Sequence, residues 1–275
     1  MKQRKFVFII VFLILALSKL SAQYEFMHRS GSFIDGFGSR NSFRFSTPNR
    51  VSHGYWNPNL QRDNTRTGIY HITHEYNVPF LNITWDDGGS VRYLMLANEN
   101  VMMLYSGNTY PAWNLWWLSS YAEMMLSGDA IRMHSVRASA TLTEGHLVYA
   151  ATPERLGPHI NRVWAVEGGV GERLYIHPGS QTWRLLISGG YVHFSRPYLF
   201  QHNARPRRIQ VSSMNDETQF FEMELQDTPN FQGFTFSSNG IFDQHLGIII
   251  EILEVFPGSR YNHLCINSIM GLWSQ

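Results

Sequence analysis

The sequence holds one cysteine, Cys265, in 275 residues. A single thiol closes no internal disulfide and excludes a thiolate-rich metal centre; it reads as a small buried apolar residue. Lysine is nearly missing too. Its three copies, Lys2, Lys5 and Lys19, all lie in the first 22 residues. Beyond them 18 arginines face 21 carboxylates, a net charge of −3. A mildly acidic chain carries no electrostatic case for nucleic acid. No apolar run approaches the about 20 residues that a spanning helix needs. The run Phe6 to Leu17 is 12 residues. There is no Gly-x-Ser-x-Gly elbow, no Walker loop, no internal repeat and no low-complexity tract.

What the chain does have begins at its start. Lys2, Arg4 and Lys5 precede the apolar run, and Ser18-Lys19-Leu20-Ser21-Ala22 follows it. A basic start, a short greasy core and a small final residue make residues 1–22 a cleavable secretory signal. The alternative is a retained anchor, because Leu20 stands where cleavage prefers a small side chain. The mature chain, residues 23–275, is expected to be secreted or in the periplasm or cell envelope, with no membrane span after cleavage.

Residues 23–66 are rich in Gly, Ser, Asn and Arg, and read as loosely ordered with one short strand around Ser42–Phe45. From Thr67 the texture changes. Gly68–Glu75, Phe80–Trp85, Ser90–Ala97 and Asn100–Tyr105 alternate apolar and polar residues around Asp86-Asp87-Gly88-Gly89 and Asn98-Glu99-Asn100, the pattern of a four-stranded meander. Hairpin spacing gives this part a resemblance to small lipocalin-like meanders. Trp113, Trp116, Trp117, Tyr121, Met124 and Met125 then recur at helical steps between Pro111 and Gly128, predicting one buried aromatic helix over Trp113–Met125. Residues 67–133 are therefore expected to be a β-meander plus helix, with a junction in 127–139.

Strand-like runs return and continue: Arg184–Ile187, Tyr191–Phe194, Arg208–Ser212, Gln219–Leu225 and Gly247–Val255, with Gly189-Gly190 marking a hairpin. Short strands at this spacing predict a β-sandwich. Two stretches make it more specific. One is Trp164-Ala165-Val166-Glu167-Gly168-Gly169-Val170-Gly171-Glu172. The other is Glu254-Val255-Phe256-Pro257-Gly258-Ser259-Arg260-Tyr261, continued by Cys265-Ile266 and Ile269. With the Asn203-x-Arg205 step between them and Ser135–Ser139 as an entry strand, residues 134–275 resemble the discoidin (coagulation-factor type C) superfamily, in its NADase-type glycan-binding branch. The resemblance implies a jelly-roll sandwich in which Trp164 anchors the loops, the glycines form a tight turn that Glu172 holds by accepting backbone hydrogen bonds, and Pro257-Gly258 returns the chain. Two departures, Gly157–Asn161 before the tryptophan and Asn262-His263-Leu264 near the end, argue against transferring a calcium site or a particular glycan. Nothing matches the catalytic domain for which the branch is named.

The expected fold is thus all-β: a small lipocalin-like meander with one aromatic helix, then a discoidin-like sandwich. The expected function is non-catalytic recognition of carbohydrate by loops of the second half, with no cofactor. Sugar sites join an aromatic face to planar hydrogen-bonding groups. Tyr198, His202, Asn203, Arg205 and Arg207 share one inter-strand segment, and Trp164 and Glu167 lie in another loop. The expected ligand-binding set is Trp164, Glu167, Tyr198, Asn203, Arg205 and Arg207. One alternative is an envelope assembly protein that docks a partner through the aromatic helix. Another is an unrecognised hydrolase, which would bring two acids or a His-acid pair together in a cleft. His71-x-x-His74-Glu75 is no metal motif, since on a strand its two histidines point to opposite faces.

Overall fold

The computed structural model describes residues 33–35, 41–46, 48–57, 59–98, 101–107, 115–118, 133–157, 160–178, 182–235 and 247–273. The proposed leader lies outside them.

Eight strands make the first half: β1 (Phe33–Asp35), β2 (Ser42–Ser46), β3 (Arg50–Asn57), β4 (Arg62–Glu75), β5 (Val78–Trp85), β6 (Ser90–Ala97), β7 (Val101–Tyr105) and β8 (Leu115–Leu118). Each pairs antiparallel with the next, and β8 returns to β1 through Phe33↔Leu118 and Asp35↔Trp116, so the sheet closes into a barrel. Eight strands enclose a space that side chains can fill. Phe43 and Phe45 of β2 point inward, while Arg44 and Ser46 stay exposed. Leu81, Ile83 and Trp85 of β5, Met95 of β6 and Met102 and Leu104 of β7 complete the interior. The β5–β6 turn is clamped from outside: Arg50 pairs with Asp86, and Arg66 grips Asp87 at 2.6 Å while lying 4.7 Å over the Trp85 ring.

The barrel corrects two expectations. Residues 23–66 are not uniformly loose: β1, β2, β3 and the start of β4 fall there. Ser42–Phe45 alternates cleanly, whereas β3 and early β4 carry Gly54, Asn57, Asp63 and Asn64, residue types that read as loop. The aromatic helix is also overturned where it can be checked. Leu115–Leu118 is a strand, pairing with β7 through Met102↔Trp116 and with β1. Trp116 fills the barrel, edge-on to Phe43 at 4.6 Å. Apolar residues at every position satisfy three- and four-residue steps and also the two-residue period by which a strand's residues share a face, so the spacing does not distinguish helix from strand. Trp113 and residues 119–125 lie outside the described residues. The meander therefore does not need a helix to cover it; it covers its own inner face.

The second half contains β9 (Met133–Ala138), the hairpin β10 (Thr143–Glu144) and β11 (Leu147–Val148), the short helix α1 (Pro153–Leu156), β12 (Trp164–Glu167), β13 (Arg173–Pro178), β14 (Thr182–Gly189), the short helix α2 (Leu199–His202), β15 (Arg205–Ser213), β16 (Phe220–Glu224), β17 (Gln232–Thr235), β18 (Ile248–Phe256) and β19 (His263–Trp273). Two antiparallel sheets, β12-β19-β14-β17 and β16-β15-β18-β13-β9, face each other as a sandwich. Their core takes the alternating inner residues: Leu174 and Ile176, Leu185 and Ile187, Ile209 and Val211, and Ile248, Ile250 and Ile252. Each such side chain contributes roughly 1.5–3 kcal/mol by leaving water. Gly189-Gly190 does not make a hairpin, and Tyr191–Phe194 is not a strand. The chain leaves the sheet there, with Gly190 at φ +87 and packed so tightly that a Cβ would lie 2.5 Å from the Phe200 ring.

The four-stranded sheet is buried on both faces. Leu185 and Ile187 face the sandwich core, whereas Leu186, Met270 and Leu272 face the barrel and meet Phe80, Leu94, Leu96, Val101 and Met103. The unbroken apolar run of β14 has that cause. The molecule is three layers deep: barrel wall, four-stranded sheet, five-stranded sheet.

Candidate functional site

The two stretches that carry the resemblance become neighbours in space. β12 pairs with β19 through Trp164↔Ile266, Ala165↔Cys265 and Glu167↔His263. The glycine turn after β12 is stitched to the loop before β19 by Gly168 N–H donating to Asn262 O at 3.0 Å, and to β18 by Gly171 N–H donating to Ile252 O at 2.8 Å. At Gly169 the φ is +90 and a Cβ would lie 2.4 Å from Leu264, so only glycine fits. Glu172 holds this corner differently from the expectation: its carboxylate accepts from the Ser139 hydroxyl, and its own carbonyl accepts from Ile252 N–H at 3.0 Å.

Alternation on β12 and β19 sends Trp164, Val166, Leu264 and Ile266 into the sandwich and leaves Val163, Ala165 and Cys265 on the opposite face. Over that opposite face lies a pocket of about 450 Å³. Ala165 and Cys265 form its floor, and Tyr149, Tyr191, Tyr261 and His263 stand around it. Glu144, Arg155, Asn161, Arg196 and Asn203 supply polar groups, and Leu142, Leu147 and Leu199 the apolar lining. The β10–β11 hairpin overhangs one side, held because Leu142 N–H donates to Ala165 O and Ala165 N–H to Tyr149 O. The loop following Gly190 and helix α2 make the other side.

A family description of the NAD glycohydrolase translocation F5/8 type C domain matches residues 130–271. The chain belongs to this family. No curated protein matches the chain. In this F5/8 type C domain the expected site residues fall in different places. Trp164 is fully buried, and its indole N–H donates to Ala140 O at 3.0 Å, so it anchors the loops and meets no ligand. Arg205 is buried as well. It grips Asp227 with Nε and Nη2 at 2.6 and 3.0 Å, and Nη1 donates to the carbonyls of Phe200 and Asn203. It ties α2 to β15 from within the scaffold. Arg207 is exposed on the five-stranded sheet, 3.6 Å from Glu224 and 3.8 Å from Glu254. Glu167 ends β12 outside the pocket lining. Tyr198 packs 6.1 Å from the Tyr76 ring of the barrel. Of the six, Asn203 alone lines the pocket, with its amide donating to Leu199 O.

The residues that do converge were missed: Glu144, Tyr149, Arg155, Tyr191, Arg196, Tyr261 and His263. They come from three separated segments, and only Tyr261 belongs to a quoted signature. One signal was available. Tyr191 and His193 flank a fully buried Val192, which fixes both rings on the side away from the barrel contact.

The electrostatics of the pocket follow from burial. Tyr149 is pushed up to about 12, first by burial and then by donating its hydroxyl to Glu144. Tyr191 is raised by burial, with Arg196 and Arg155 both pulling the other way. His193 is pushed down to about 4 by burial and by Arg196, and accepts from the Arg196 guanidinium at 3.0 Å. Burial raises the Cys265 thiol, so the floor offers no thiolate. His263 Nδ1 and Glu144 stand 4.0 Å apart, beyond hydrogen-bond reach. Glu144 also accepts from the Tyr149 hydroxyl.

The row of rings continues past the rim. Tyr261 stacks parallel on His263 at 5.9 Å and meets His202 at 6.3 Å; His202 meets Tyr198 at 5.1 Å. Tyr76, in the turn between β4 and β5, closes the row from the barrel side.

Proposed function

We propose that the protein is an exported, non-catalytic binding protein that holds carbohydrate in the pocket between the β10–β11 hairpin and the loop following Gly190. The observation that carries this reading is the composition of that pocket: three tyrosines and a histidine interleaved with guanidinium, carboxylate and amide groups over an apolar floor. A sugar ring presents an apolar face of C–H groups and an equatorial rim of hydroxyls, and such a mixed surface meets both demands. Membership of an F5/8 type C family supports a binding role. The basic and apolar leader supports export.

The full mature chain, screened on a glycan array and then titrated with the hits, tests the reading. Binding is expected to weaken roughly tenfold in Tyr191→Ala and in Tyr261→Ala, since a central aromatic is worth about 1–2 kcal/mol when truncated. Arg207→Ala, remote from the pocket, is expected to bind as the parent. Absence of any glycan binding, or binding indifferent to both tyrosines, rejects the site. The envelope-docking alternative is not favoured, because Leu115–Leu118 of its aromatic segment is built into the barrel wall.

A further inference from the structure

The charges lining this pocket do not cancel. Arg155 at the end of α1 and Arg196 in the loop following Gly190 both line it, and among the described residues neither meets a carboxylate. Seven of the other thirteen described arginines do: Arg50, Arg66, Arg92, Arg173, Arg205, Arg207 and Arg208 each sit within 4.0 Å of an acid, and the remaining six lie outside the pocket. Arg196 is held by a neutral acceptor, His193 Nε2 at 3.0 Å, which aims the guanidinium and leaves its charge uncompensated. Glu144 is the one acid among the described residues lining the pocket, and it accepts from the Tyr149 hydroxyl. Tyr191 stands within the field of both arginines. A chain with a net charge of −3 outside its leader thus keeps two unpaired cations around one concave aromatic surface.

From this the geometry points to a carboxylate-bearing sugar, a uronic or nonulosonic acid residue, as the occupant, with Arg155 and Arg196 taking the carboxylate and Tyr191 supporting the ring. The inference rests on the carbohydrate reading given above. Arginine is suited to it because its planar fork matches the two oxygens of a carboxylate, and because it stays charged at a partly dry site. The two come from separate segments, so a bound carboxylate would also tie α1 to the opposite wall of the pocket.

The test uses the full mature chain on an array that pairs each uronate- or sialate-bearing glycan with its carboxyl-reduced neutral form and with a sulfated form. The expected result is binding confined to the carboxylated members, lost on reduction, and weakened tenfold or more in Arg155→Gln and in Arg196→Gln. Thermal melts of both variants check that they fold, and weakening of parent binding between low and high salt gives a second readout that needs no variant. Equal binding of neutral and carboxylated forms overturns the acidic preference while leaving the carbohydrate reading in place. Preference for the sulfated form overturns the carboxylate assignment. If no glycan of any kind binds, the carbohydrate reading fails, and this inference with it.

Discussion

Arg205 shows how a residue of the right chemistry can serve the scaffold. A guanidinium in an inter-strand segment beside Tyr198 and Asn203 reads as a ligand group, yet its Nε, Nη1 and Nη2 all donate within the scaffold, to Asp227 and to carbonyls of α2 and Asn203. Arg205→Ala would leave those carbonyls unpaired and expose Asp227 to water without its partner. The expected cost is about 2–3 kcal/mol, seen as a lower urea midpoint with unchanged slope, and Arg205→Lys should rescue little because a single ammonium cannot replace the fork. His53 makes a separate prediction in the barrel. Its ring lies 4.4 Å from Phe43, and burial, helped by Arg66, depresses its pKa to about 4 from the ordinary 6.5. Between those two values the unfolded chain accepts a proton that the folded chain refuses. Stability is therefore full above about pH 6.5 and falls as the pH drops toward 4. His74, also depressed by burial, acts in the same sense. Urea midpoints measured at several pH values should show this decline, and His53→Gln should make it shallower, leaving the share that His74 and His193 contribute.

At the scale of elements, the β10–β11 hairpin is the part whose role is clearest to test. All six of its residues from Thr143 to Val148 are exposed, and Leu147 and Val148 are half exposed although apolar. They add little to the core and a wall to the pocket. Below them Tyr149 N–H donates to Leu142 O at 3.0 Å, so the ladder can be closed one step earlier. Joining Leu142 to Tyr149 through Gly-Gly, a pair suited to a type I′ turn, should shift Tm by only a few degrees and abolish or strongly weaken glycan binding. A large loss of stability would show that the hairpin belongs to the scaffold. Element type was legible where apolar and polar residues alternate, as in β16, and where branched and aromatic runs are bounded by turn residues, as in β5, β6, β14, β15 and β18. It failed in two places. Leu115–Leu118, apolar at every position, carries no alternation and took its reading from neighbouring aromatics. Tyr191–Phe194 alternates without being a strand, because Val192 is pinned under the barrel while Tyr191 lines the pocket and His193 sits beside the Tyr191 ring. The fold of the second half was legible from two signatures that turned out to pair. The pocket was not, because it forms from the backs of those signatures together with loops that carry no motif.

The whole molecule depends on how the barrel and the sandwich share a surface. Each has its own core, so each could hold its strands without the other; what they have in common is the layer of Phe80, Leu94, Leu96 and Met103 against Leu186, Met270 and Leu272. One buried polar contact fixes the register, Ala97 N–H donating to Asn230 Oδ1 at 3.1 Å. Leu96 is fully buried in this layer, and Leu96→Asp would put an unpaired carboxylate into it without touching either core. A scan of the parent should show one cooperative transition and the variant two, as the halves uncouple. Binding should suffer as well, although Leu96 does not line the pocket. Asn161, which does, sits at φ +69 with its side chain bridging Tyr105 of the barrel and Phe194 N–H. Undocking removes the Tyr105 end of that bridge and withdraws Tyr76 from the ring row that ends at the rim. A Leu96→Asp protein that melts in two steps yet binds glycan as tightly as the parent would show that the sandwich shapes the pocket alone; weaker binding in step with the split transition assigns the barrel a share in it.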